Sequence, residues 1–105
     1  MMSSEELNTD HVLYDLNVIR GAYQRLSPEE RTKGFLSTLI ERYSMAVLQL
    51  DDPVLRRLYD LLYVKCNSRE KCACLLNCDR RTIYRYNLAL LTALAVELQK
   101  ETADG

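Results

Sequence analysis

Glycine and proline are scarce in this chain, three and two in 105 residues. That is too few for a turn-rich β fold, and no segment alternates with the two-residue period of a strand. No apolar run approaches the roughly 20 residues that cross a bilayer. The opening MMSSEELNTD has neither the basic nor the apolar block of a signal peptide, so a cytoplasmic protein is expected. The single histidine, His11, stands apart from any Cys or Ser motif and reads as a surface residue. There is no P-loop, no glycine-rich nucleotide loop and no H-x3-H metal pair. Neither an enzyme nor a cofactor is expected.

Four cysteines are present, Cys66, Cys72, Cys74 and Cys78. Structural zinc sites use paired knuckles on turns, and this spacing, C-x5-C-x-C-x3-C, is different. Cys72 and Cys74 are two apart on an expected helix, so their side chains diverge by about 200°. Cys72 and Cys78 fall at core-type positions, where Cys acts as a small hydrophobe. No metal is expected, and a reducing compartment disfavours disulfides. With 48% hydrophobic and 28% charged residues, the composition is that of an ordinary globular protein. One domain over residues 1–105 is expected, with a helical hairpin at 10–50 and a second part at 52–100.

What is abundant is helical periodicity. Val12, Leu16, Ile19, Tyr23 and Leu26 are spaced by four, three, four and three, and Leu36, Ile40, Tyr43, Val47 and Leu50 repeat the pattern. Between the stripes, Ser27 and Glu30 form a capping box around Pro28. Asp52 and Pro53 suit the cap and first position of a third helix. Leu55, Leu58, Tyr59 and Leu62 face inward from it. Arg56 is expected in solvent, while Arg57 and Lys65 face either solvent or a nucleic-acid backbone. Five helices are predicted, near 10–26, 29–49, 53–65, 69–76 and 80–99.

Residues 68–86, SREKCACLLNCDRRTIYRY, carry the most information. They read as a helix-turn-helix. Ser68 caps the first helix, Cys72, Leu75 and Leu76 share its inner face, and small Ala73 permits a close crossing. Asn77 falls where the backbone turns left-handed, and Asp79 caps the second helix. Ile83, Tyr86 or Asn87, Leu90, Leu91, Leu94 and Leu98 face the core. Arg80, Arg81, Thr82, Tyr84 and Arg85 are then left facing outward. Arginine offers bidentate donors to guanine and phosphate, and threonine can meet a thymine methyl. From Leu88 to Leu98 the last helix is apolar on nearly every side. Either the N-terminal hairpin wraps it or a second subunit covers it.

Charge is distributed unevenly. Residues 1–55 hold nine acidic and five basic side chains (−4), residues 56–86 hold three and eight (+5), and residues 87–105 hold three and one (−2). These sum to the formal net charge of −1. A basic block coincident with the outward cluster is the footprint expected of a nucleic-acid binder.

The run Ser68, Arg69-Glu70, Ala73, Leu76, Asn77-Cys78, Asp79-Arg80-Arg81-Thr82-Ile83-Tyr84-Arg85 resembles the helix-turn-helix of sigma-factor region 4. It is closer still to small phage and prophage transcriptional regulators of the ArpU and RinA type. The preceding LDDPVLRRLYDLLYVKC is similar to that family's lead-in helix. Asp79 stands where the family has Ser, and Cys72 and Cys78 stand where it has aliphatic residues. The resemblance covers about the C-terminal half of the chain. It implies an all-α, phage- or prophage-encoded regulator that reads double-stranded DNA in the major groove with residues 80–85. Ser68, Arg69 and Lys71 would anchor the backbone, and RNA polymerase would be a second partner. A homodimer would read paired half-sites. The rival reading is a protein-interaction module, an inhibitor or adaptor, built on a degenerate helix-turn-helix. Asp79 and the acidic N-terminal half favour it.

Overall fold

A computed structural model describes the backbone of residues 8–104 and side chains through Lys100. Most of the MMSSEELNTD segment therefore lies outside the described residues. All regular elements described are helical. They are α1 (Thr9–Arg25), α2 (Gly34–Leu48), α3 (Pro53–Tyr59) continued by a π-helical segment (Asp60–Val64), α4 (Arg69–Leu75) and α5 (Arg80–Asp104). A 3-10 turn, Glu30–Thr32, precedes α2. α1 and α2 form the N-terminal hairpin, and α4 and α5 follow α3 in a helix-turn-helix-like arrangement.

Side-chain caps fix where these helices begin. The Asp52 carboxylate accepts the Val54 N–H at 2.9 Å, the Ser68 hydroxyl accepts the Lys71 N–H at 3.1 Å, and Asp79 accepts the Thr82 N–H at 2.8 Å. Each satisfies a donor that the first helical turn leaves without an intrahelical partner.

The second helix starts later than the sequence pattern predicts. Ser27 and Glu30 do form the capping box: the Ser27 N–H donates to the Glu30 carboxylate (2.9 Å), and the Glu30 N–H donates to the Ser27 hydroxyl (3.2 Å). The box closes only one 3-10 turn. Arg31 pulls that turn back onto α1, donating to the Leu26 carbonyl at 2.8 Å and lying 4.4 Å from the Tyr23 ring centre. Lys33 is then extended (φ −114°, ψ 141°) and Gly34 left-handed (φ 60°), so regular helix resumes only at Gly34. The left-handed step is cheap at glycine. The buried face is also rotated. Leu39, Tyr43, Ala46 and Val47 are buried, whereas Leu36 and Ile40 are half-buried.

The third helix does not stay α-helical to residue 65. The Lys65 N–H donates to the Asp60 carbonyl at 2.8 Å, and the Asn67 N–H donates to the Leu61 carbonyl at 3.0 Å. The wider winding lets Leu61, Leu62 and Tyr63 all reach the core, which consecutive residues at 100° spacing do poorly. Arg56 is not simply solvated. It is half-buried and donates to the Leu50 carbonyl, while Lys65 lies 3.4 Å from the Asp60 carboxylate.

In α4 the inner face is Cys72 and Ala73, with Leu76 half-buried. Leu75, placed inward by the spacing, is 42% exposed. The inner face centres between Cys72 and Ala73, where α5 crosses, and this puts Leu75 beyond its edge. Asn77 is left-handed as expected (φ 58°). Asn77→Ala is expected to cost about 1 kcal/mol, whereas Asn77→Gly should be near neutral, as read by thermal melts.

α5 runs to Asp104, beyond the predicted residue 99. Ile83, Leu90, Leu91, Leu94, Ala95 and Leu98 are buried, and α1, α2, α3 and α4 all pack on the helix. The hairpin thus wraps the apolar helix. Asn87, rather than Tyr86, takes the buried position and accepts the Tyr63 hydroxyl at 2.7 Å. A second buried polar pair ties α2 to α1: the Tyr43 hydroxyl donates to Asp15 at 2.6 Å. His11, exposed as expected, lies 3.3 Å from the same carboxylate oxygen, Oδ2 of Asp15.

Candidate nucleic-acid interface

The turn between α4 and α5 brings most of the outward basic cluster to one place. Arg69 from α4 and Arg80, Arg81, Tyr84 and Arg85 from α5 line a single open groove of about 890 Å³. Three of these side chains follow from helix geometry. Arg81 and Arg85 lie on the face opposite Ile83 and Asn87, which are held in the core, and Tyr84 lies on the flank between. Arg69 joins them only because α4 packs against α5.

Thr82 departs from the expected outward orientation. It is half-buried, and its hydroxyl accepts a 3.4 Å bond from the Arg85 guanidinium. The contact ties Arg85 to the preceding turn of α5. Tyr84 is exposed, free to stack on a sugar or base. Ser68 and Lys71 are exposed too, but neither lines the groove. The Ser68 hydroxyl is already engaged as the cap of α4.

Asp79 puts a carboxylate at the N-terminus of α5. The Thr82 backbone N–H, then the Thr82 hydroxyl, hold its carboxyl below the usual carboxylate range. It is thus a fixed part of the cap. Near the groove, Glu70 lies 3.8 Å from Arg80, both side chains exposed.

Two contributors escaped local sequence reading. Glu70 is one. The other is Arg20 on α1, whose guanidinium donates to the Leu62 carbonyl (3.0 Å) and to the Cys66 and Asn67 carbonyls (3.3 Å each). It pins the segment that leads into α4. Cys66 in that segment is left-handed (φ 58°), with its thiol 3.5 Å from the Arg20 carbonyl. No local motif announces contacts across more than forty residues.

Among the described residues, no three His, Cys, Asp or Glu side chains converge as a metal site would require. Burial pushes the Cys72 thiol up, against the opposing pull of Arg20 and Arg69. Cys74 is exposed, and Cys66 and Cys78 are half-buried. No helix of the described residues is long and apolar enough to cross a membrane.

No known protein family, curated protein or solved structure matches this chain.

Proposed function

We propose that this chain is a sequence-specific DNA-binding regulator of transcription and not an enzyme, with residues 80–85 entering the major groove. One observation carries the reading. Four arginines and a tyrosine from two helices line one open groove, on a molecule whose net charge is only −1. Arg80, Arg81 and Arg85 suit phosphates and guanine edges, and Tyr84 suits a sugar or base face. The resemblance to phage regulators supports the same assignment and adds RNA polymerase as a second partner.

Selection of bound sequences from a random duplex pool tests the proposal. One recurring motif is expected, with affinity falling steeply as salt rises. Two half-sites about one helical turn apart would mark a dimer on DNA. Recovery of no motif, with no duplex binding at low salt, would sink the proposal. The alternative, a protein-interaction module, draws on α2. There Phe35, Met45 and Leu48 are exposed by 77%, 56% and 70%. Retention of activity by a chain that cannot bind DNA would favour it.

A further inference from the structure

Beside the reading groove lies a smaller recess of about 300 Å³, lined by Arg20, Leu62, Ser68, Arg69, Glu70 and Arg80. It shares Arg69 and Arg80 with the groove and adds Arg20 from the otherwise acidic N-terminal half. Three guanidiniums from α1, α4 and α5 therefore meet around one small volume. Their like charges repel, so the arrangement favours an anion between them. One already approaches: the Glu70 carboxylate, 3.8 Å from Arg80.

The state of Arg20 narrows the chemistry. Its Nε and Nη2 are bonded to the carbonyls of Leu62, Cys66 and Asn67. Its Nη1 makes no hydrogen bond or ion pair among the described residues. The guanidinium is thus held rigidly by its Nε and Nη2 edge, and the two N–H donors of Nη1 are left over for a charge-assisted bond to an oxyanion.

We propose that this recess is a seat for one backbone phosphate of the bound duplex. Arg20, Arg69 and Arg80 are its donors, and Glu70 is the internal carboxylate that the phosphate displaces. The seat rests on the DNA-binding reading above and adds to it a contact from the N-terminal hairpin. In the free protein Glu70 holds Arg80. On DNA, Arg80 exchanges that carboxylate for phosphate, so Glu70 weakens binding at every sequence.

The test is equilibrium binding of the full chain to a labelled duplex carrying the selected motif, across a salt series. Arg20→Gln should flatten the slope of log affinity against log salt, by at most about 0.9, the share of one phosphate, since Arg69 and Arg80 still face it. Arg20→Lys, which keeps the charge and loses the fork, should weaken binding but keep the slope. Glu70→Gln, a change at an exposed position, should tighten binding about two- to fivefold. A merely structural Arg20 would lower affinity equally at all salt concentrations. An unchanged slope in Arg20→Gln, or weaker or unaltered binding in Glu70→Gln, overturns the seat while leaving the groove reading intact. Should Arg20→Gln not fold, Glu70→Gln alone decides. Failure of the wild type to bind any duplex at low salt overturns both proposals.

Discussion

Replacing Arg81 and Arg85 together by alanine is expected to abolish sequence-specific binding while leaving the fold untouched. The two residues are one helical turn apart on α5, both exposed, and both line the groove. An arginine that reads a base is worth about 1–3 kcal/mol, so the pair should cost about a hundredfold or more in affinity. The losses need not add, because the side chains are neighbours and Arg85 is tied to Thr82. Helicity and melting temperature should be those of the wild type, since neither side chain supports the core. Arg57→Ala, at an exposed position outside the groove, serves as the control. Full affinity in the double variant would falsify the assignment of α5 as the reading helix.

Alkaline pH should unfold the protein cooperatively. Burial raises the hydroxyls of Tyr43, Tyr59 and Tyr63 above their ordinary value of 10.0, and Tyr43 is raised further by donating to Asp15. The folded chain keeps three protons that the unfolded chain releases. Their stabilisation is complete below pH 10 and is lost as pH rises above it. Tyr43 and Tyr59 each remove about 1.4 kcal/mol per pH unit, nearly 3 kcal/mol together, and Tyr63 adds to the loss. A domain at the low end of the usual range of about 5–15 kcal/mol should therefore lose its helices within about two pH units above 10. Circular dichroism and tyrosinate absorbance should report the loss together, as one late step. Tyr43→Phe should make the transition shallower in pH. If all seven tyrosines ionise near pH 10 with helicity unchanged, the three hydroxyls are not held as described.

The parts of this architecture that could be read in advance are those set by local chemistry. Asp52, Ser68 and Asp79 carry short side-chain acceptors, and each caps the helix it precedes. Asn77 tolerates the left-handed turn, and the apolar period from Ile83 to Leu98 fixes which way Arg81, Tyr84 and Arg85 point. What escaped depends on distant partners. The Ser27–Glu30 box formed, but Arg31 reaching back to Leu26 and Tyr23 decided that the helix would not continue through Lys33. Leu75 lost its place because the crossing at Ala73 set the buried face. The π-helical winding lets Leu61, Leu62 and Tyr63 all reach the core, and neither the winding nor the Arg20 bonds leave a local trace.

α5 is one unbroken helix of 25 residues, about 37 Å long. Its first turns carry the outward cluster, and the helix as a whole packs against α1, α2, α3 and α4. The two tasks are divided by helical phase within a single rod. Positions 81, 84 and 85 can therefore be rewritten without disturbing Ile83, Asn87 or Leu90. On the proposed reading, target preference is then a separable coding strip on a fixed handle. A library randomised at those three positions should stay folded almost throughout while its members diverge in the DNA they select.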